Sequence, residues 1–171
     1  MKVIEQLLAN AGISPIAGVD EAGRGACAGP LVIASVVLND PFAPELAVVR
    51  DSKEIAENKR DAVFDLIYQV AASVSVVIVP ASEVDARGVH AANLDGMRRA
   101  VQGLTVEPAY VLTDGYAIEG LGVPNLAVWK GDQVVVSISA ASVIAKVTRD
   151  RIMREMDLEF PHYGFAGHKG Y

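Results

Sequence analysis

Residues 16–38, with the sequence IAGVDEAGRGACAGPLVIASVVL, contain two apolar, partly β-branched runs separated by a segment rich in glycine, alanine and proline. These runs predict strands at residues 16–20 and 31–38, and the segment between them predicts a tight, glycine-rich connection. The two strands begin a sheet to which the rest of the chain must add.

Apolar periodicity extends this prediction along the chain. Short apolar runs predict further strands at 73–79, 110–113 and 126–129, and helical spacing predicts helices at 54–70, 82–102 and 137–158. Strands come first and then alternate with helices. This order indicates an α/β domain with a mixed sheet flanked by helices.

Composition limits the classes of protein that are possible. The chain has 171 residues, 51% of them hydrophobic, and a formal net charge of −6, so it suits one packed domain and excludes wholesale disorder. No apolar stretch reaches the roughly 18 residues of a membrane-spanning helix, and the N-terminus lacks the apolar core of a secretory signal. Cys27 is the single cysteine. We therefore expect a protein of a reducing compartment, the cytoplasm, with no membrane partner.

Acidic residues stand at the ends of three predicted strands, as Asp20 with Glu21, Asp114 and Asp132. Carboxylates that converge on one rim of a sheet repel each other unless a cation lies between them, and hard divalent metals prefer such oxygen ligands. Turn formation is an equal alternative for any one of these residues, because aspartate beside glycine is common in turns. Three such sites in one small domain favour the metal interpretation.

Other residues are candidates for contacts with nucleic acid. Gly23-Arg24-Gly25 directly follows the acidic pair, and such a loop can offer backbone N–H groups and a guanidinium to phosphate. The C-terminal residues 161–171 combine aromatic rings with basic neighbours, which suits stacking on sugars or bases. A plain hairpin connection and an aromatic tail packed on the core are the structural alternatives. The net acidic charge argues only against a broad basic surface.

Together these segments resemble the type 2 ribonuclease H family (bacterial ribonuclease HII) over nearly the whole chain. The matching blocks, in order, are residues 18–25 (GVDEAGRG), 28–30 (AGP), 51–53 (DSK), 113–115 (TDG), 130–132 (KGD), 140–151 (AASVIAKVTRDR) and 163–171 (YGFAGHKGY). The resemblance implies a ribonuclease H-like fold with a five-stranded mixed sheet. It also implies a single catalytic domain over residues 1–171, without the C-terminal extension usual in the family.

The resemblance implies a role for individual residues. Asp20, Glu21, Asp114 and Asp132 match the family's four catalytic acidic positions, which would hold Mg²⁺ or Mn²⁺ for two-metal hydrolysis of a phosphodiester. Gly23, Arg24 and Gly25 match the segment that recognises the 2′-hydroxyl of the ribonucleotide. Tyr163 matches the tyrosine that stacks on the following sugar. Phosphates of the substrate would contact a basic track, for which we select Lys53, Lys146, Arg149 and Lys169.

The implied activity is that of an endoribonuclease on RNA–DNA hybrids. The family also cuts 5′ of a single ribonucleotide in duplex DNA, as ribonucleotide excision repair requires, and leaves 3′-hydroxyl and 5′-phosphate ends. The main alternative is a hybrid-binding domain whose catalysis is weakened by the short C-terminus. A related nuclease acting on DNA alone and a small-molecule phosphatase are further alternatives, and we expect a monomer.

Overall fold

A five-stranded mixed sheet forms the centre of the computed structural model, which describes residues 3–49 and 55–167. Its strands are β1 (Ile16–Ala22), β2 (Leu31–Leu38), β3 (Ala71–Val79), β4 (Tyr110–Asp114) and β5 (Asn125–Val128), arranged in the order β3-β2-β1-β4-β5. β1, β4 and β5 are parallel, whereas β2 is antiparallel to both β1 and β3. The carboxyl ends of the three parallel strands therefore meet at one edge of the sheet.

Helices cover both faces of this sheet. They are α1 (Val3–Asn10), α2 (Glu57–Val70), α3 (Ala81–Arg87), α4 (Val89–Gln102), the short α5 (Gly131–Val134) and the long α6 (Val136–Glu159), with 3₁₀ turns at Pro44–Val48 and Pro161–Tyr163. α2 and α6 pack on one face, and α4 packs on the other. β2 lies between these layers and all of its residues are buried. Burial on both faces explains why β2 is apolar at every position except Ser35.

α6 lies unusually close to β1. A Cβ at Gly18 would be 2.1 Å from the carbonyl carbon of Ser137, at the first turn of α6, so only glycine permits this approach. The carboxylate of Glu5, which is 1% exposed, accepts hydrogen bonds of 3.0 Å from the N–H groups of Val136 and Ser137. A carboxylate there satisfies unpaired donors and complements the helix dipole. These contacts fix the start of α6 against the sheet.

The predicted α/β class and the five-stranded mixed sheet flanked by helices are confirmed, with local differences. β1 extends to Ala22 because its last residues continue to pair with β2. α2 begins at Glu57 and not at residue 54, which lies outside the described residues. The prediction did not include α1 or α5, whose short segments lack enough periodicity to indicate a helix. Within residues 3–49 and 55–167, no helix has the length and apolar character needed to cross a bilayer.

Candidate active site

Three aspartates meet at the carboxyl ends of the parallel strands. Asp20 lies near the end of β1, Asp114 ends β4, and Asp132 is in α5, shortly after β5. The register of β1 and β4 pairs Val19 with Thr113, so the two aspartates that follow this pair are neighbours. Each of the three offers a carboxylate oxygen, and these oxygens lie within 4.8 Å of one another. This spacing is suitable for a shared cation.

The electrostatics of Asp20 support that interpretation. Burial raises the pKa of its carboxyl group well above the usual value, and the nearby charges of Glu21 and Asp114 raise it further. Hydrogen bonds from the Ser142 hydroxyl and from the Glu21 N–H group, at 2.7 Å, oppose this rise in the pKa. A cation would relieve the repulsion, and a cluster made only of carboxylate oxygens fits Mg²⁺ or Mn²⁺.

The backbone after β5 holds the other two aspartates in place. The N–H group of Gly131 donates a hydrogen bond of 2.7 Å to Oδ1 of Asp114. Lys130 precedes it with a positive φ of 52°, which turns the chain from β5 into α5. The Ser139 hydroxyl donates to the carbonyl oxygen of Asp132 at 2.6 Å and so links α5 to α6. The sequence KGD therefore connects two acidic positions: Gly131 binds Asp114, and the next residue is Asp132.

Glu21, the fourth predicted acidic residue, stands apart from the cluster of three. Side chains alternate along a strand, and Gly18 and Asp20 face α6, so Glu21 faces the opposite layer. Glu21 nevertheless lines the same cleft as Asp114 and Asp132, which has a volume of about 500 Å³. It therefore contributes negative charge at the wall of the cleft.

The loop after β1 reaches the same cleft. Arg24 lines the cleft, and its guanidinium carbon lies 4.6 Å from the centre of the Tyr116 ring. Gly23 has a φ of +97°, and a Cβ there would lie 2.2 Å from Nε of Arg149. Gly25 is exposed, with nothing within 4 Å of a Cβ. The glycine before Arg24 is thus tightly packed, and the glycine after Arg24 is open to solvent.

Arg149 does not lie on a phosphate track. It is 0% exposed, and its guanidinium donates hydrogen bonds to the carbonyl oxygens of Pro30 at 2.9 Å and Ala28 at 2.8 Å. The predicted phosphate contact is therefore corrected: the side chain is used inside the protein, beneath the loop that carries Gly23. Its effect on the site is to position that loop.

Lys146 requires the same correction. Its side chain is buried, and Nζ lies 2.8 Å from Oδ1 of Asp150, which also pairs with Arg60 at 3.6 Å. Burial lowers the pKa of the Lys146 amine, and the hydrogen bond with Asp150 opposes this change. Lys146 is thus part of an internal ion-pair network between α6 and α2. The predicted contacts of Lys53 and Lys169 lie outside the described residues.

Tyr163 lies beyond the end of α6, in the second 3₁₀ turn. It is 67% exposed, and its ring stacks on Phe165 with 5.4 Å between the ring centres. Tyr163 is not among the described residues that line the acidic cleft. Its stacking on a sugar of the substrate stays a prediction.

The structure adds four residues that the sequence analysis did not select. Ser142 contacts Asp20, Tyr116 supports Arg24, and Trp129 and Lys130 line the cleft. Lys130 and Ser142 lie inside segments that match the family, at 130–132 and 140–151, and this match was a signal that could have identified them. Tyr116 and Trp129 lie outside the blocks, and only their position in the fold identifies them.

Comparison with known proteins supports the same family. The model of the ribonuclease HII family matches residues 17–171. Ribonuclease HII of Acidothermus cellulolyticus is 58% identical over 98% of this chain and 54% of its own length. The relative of that name from Rhodococcus erythropolis is 56% identical over 100% of this chain and 76% of its own length.

A solved structure agrees with this match in three dimensions. Ribonuclease H2 from Pyrococcus horikoshii superimposes with a TM-score of 0.78 at 29% identity, over 87% of this chain and 78% of its own. The family model covers residues 17–171, and the whole-fold superposition agrees with it. The chain belongs to the ribonuclease HII family, the type 2 ribonucleases H.

Proposed function

We propose that this protein is a metal-dependent endoribonuclease that cleaves the RNA strand of RNA–DNA hybrids. We further propose that it cuts 5′ of a single ribonucleotide in duplex DNA and leaves 3′-hydroxyl and 5′-phosphate ends. The observation that supports this most strongly is the cluster of Asp20, Asp114 and Asp132, with oxygens within 4.8 Å, in a member of the ribonuclease HII family.

The acidic residues have distinct parts in this proposal. Asp20 is the central ligand, because it is buried and its carboxylate lies within 4.8 Å of those of Asp114 and Asp132. Two Mg²⁺ or Mn²⁺ ions would be held by Asp20, Asp114 and Asp132, with Glu21 adding its carboxylate from the wall of the cleft. They would activate the attacking water and stabilise the leaving oxygen. The Gly131 N–H group donates a hydrogen bond to Oδ1 of Asp114 and so restrains the orientation of that carboxylate. The Ser142 hydroxyl does the same for Asp20.

Selection of a ribonucleotide requires contacts with the 2′-hydroxyl, because this group distinguishes RNA from DNA. The proposal assigns those contacts to the backbone of Gly23, Arg24 and Gly25. It is supported by the position of Arg24 in the wall of the acidic cleft and by the firm packing of Gly23 against Arg149. Because Arg149 holds this loop in place, the loop can present its polar groups at a constant distance from the metals.

Positive charge at the cleft must offset the carboxylates when a phosphate backbone approaches. Arg24 and Lys130 line the cleft and supply it. Tyr163, Lys53 and Lys169 remain proposed contacts farther along the substrate. We also propose that residues 1–171 act as one catalytic domain and that the protein is located in the cytoplasm. We further propose that it is a monomer, which sedimentation of the purified chain tests.

The proposal is tested with a labelled DNA duplex that contains one ribonucleotide. We expect a single cut 5′ of that ribonucleotide with Mg²⁺ or Mn²⁺ and none with chelator. An Asp20→Asn variant should lose activity by several orders of magnitude, since it removes the central carboxylate. Asp61→Asn is the matched control, because Asp61 is half-exposed and pairs only across the surface with Arg151.

Three results would contradict the proposal in different ways. Cutting of an all-DNA duplex would indicate a nuclease without ribonucleotide selection. Binding of the duplex without metal-dependent cleavage would favour the hybrid-binding alternative. Equal loss of activity in the Asp61→Asn control would show that the effect of Asp20→Asn is not specific to the acidic cluster.

A further inference from the structure

Trp129 is a large aromatic side chain that is exposed to solvent. It is 82% exposed, although it lines the acidic cleft together with Asp114 and Asp132. Exposed apolar residues are common singly, so exposure alone has no functional meaning. Its position beside the metal-binding carboxylates is what requires an explanation.

The backbone on both sides of Trp129 is fixed to β4. Val128 pairs with Asp114 in the β4–β5 ladder, and its carbonyl oxygen accepts a hydrogen bond of 3.0 Å from Gly115. On the other side, the N–H group of Gly131 donates to Oδ1 of Asp114 at 2.7 Å. Trp129 is therefore presented from a backbone segment anchored next to a metal-binding carboxylate, while its indole remains free of the core.

Lys130 adds a positive charge at the same place. Its side chain is exposed and it lines the cleft. Among residues 3–49 and 55–167, the observed ion pairs do not include Lys130. It also has the one positive φ found at a non-glycine residue in the described part of the chain. Such backbone conformations cost free energy and are concentrated at functional sites.

We propose that Trp129 packs against a nucleotide adjacent to the bond being cut, with the Lys130 ammonium contacting a phosphate of the same strand. This inference rests on the proposed function, because the nucleotide belongs to the proposed substrate. An indole offers a flat face to a sugar or base, and the neighbouring cation matches the charge of the phosphate. A protein partner on this wall would cover the acidic cluster, so the substrate is the occupant that the position favours.

Trp129 is the only tryptophan in the chain, so its fluorescence reports this contact directly. The full chain carrying Asp20→Asn would be titrated, in Mg²⁺, with a duplex that contains one ribonucleotide. Tryptophan emission and the anisotropy of a label on the duplex would be followed in parallel. We expect the emission to change with the same midpoint as the anisotropy.

Variants measure the contribution of the ring to binding. Trp129→Ala should weaken binding by about 5-fold to 140-fold, the range for loss of one aromatic stacking contact, and Trp129→Phe should restore most of it. Leu7→Ala is the matched control, since Leu7 is a 65% exposed apolar side chain on α1, and it should bind as the parent does. Equal thermal unfolding midpoints would confirm that the variants fold normally.

The outcomes separate this inference from the proposed function. Binding detected by anisotropy with unchanged emission, or equal binding by Trp129→Ala, would overturn the inference and leave the proposed function intact. Absence of any binding to the duplex would overturn both. An emission change that depends on protein concentration and not on nucleic acid would identify an interface between copies of the chain, and would also overturn the inference.

Discussion

A methyl group added at Gly18 would collide with the backbone of α6. In the Gly18→Ala variant the new Cβ would lie 2.1 Å from the carbonyl carbon of Ser137 and 2.3 Å from the nitrogen of Ile138. Ordinary contacts begin at 3.4 Å, so β1 and α6 must separate by more than 1 Å. Backbone atoms cannot rotate away from the clash as a side chain can.

The cost of this separation follows from the packing. Overfilling a well-packed interior costs about 1–3 kcal/mol, and we expect the upper end of that range, about 3 kcal/mol, because the obstacle is backbone. For a chain of this size that corresponds to a decrease of roughly 6–12 °C in the unfolding midpoint. Movement of α6 would also shift Ser142 away from Asp20, so the variant should bind divalent metal more weakly.

Urea denaturation of the metal-free protein would measure the change in stability, and calorimetric titration with Mn²⁺ would measure metal binding. Gly25→Ala is the matched control, because nothing lies within 4 Å of its Cβ, and its stability should equal that of the parent. A Gly18→Ala variant within about 0.5 kcal/mol of the parent, the usual spread for surface substitutions, would refute the reasoning that this glycine is required by the close approach of α6.

Two further predictions concern the buried charges of the site. The raised pKa of Asp20 means that the folded, metal-free protein binds its proton more tightly than the unfolded chain, so this group contributes stability at low pH that is lost as the pH rises through the folded-state pKa. In chelator, the free energy of unfolding of the parent should therefore fall relative to that of Asp20→Asn as pH rises, by about 1.4 kcal/mol for each pH unit between the folded-state and unfolded-state pKa of Asp20. Parallel pH profiles from urea denaturation would contradict this. Arg149→Met should destabilise the protein by at least about 2 kcal/mol, because it leaves the buried carbonyl oxygen of Pro30 and the half-buried carbonyl oxygen of Ala28 without their charged donor. Arg154→Met, which removes only a surface pair with Glu57, should cost less than about 1 kcal/mol in the same denaturation assay, and equal losses in the two variants would contradict the proposed positioning of the loop.

The local sequence was sufficient for the strands, the acidic residues at strand ends and two of the three predicted helices, whereas the third, at 82–102, is divided at Gly88 into α3 and α4. The apolar run of β2 has the same limits, Leu31–Leu38, in the prediction and in the structure. A strand that is buried on both faces is almost continuously apolar, here with Ser35 as the exception, and this pattern is visible without any knowledge of its neighbours. The parallel strands then bring Asp20 and Asp114 together, because their carboxyl ends share one edge of the sheet.

Only the tertiary structure decided which charged residues line the acidic cleft. Arg149 and Arg151 are two positions apart in α6 and equally basic in sequence, yet one lies beneath the Gly23 loop and the other pairs with Asp61 at the surface. Two residues rotate a helix by about 200°, so their surroundings depend on which distant segments pack on each side. For the same reason the exposure of Trp129 beside Asp114 could not be predicted: residue type and spacing determine local structure, whereas the packing of distant segments determines burial.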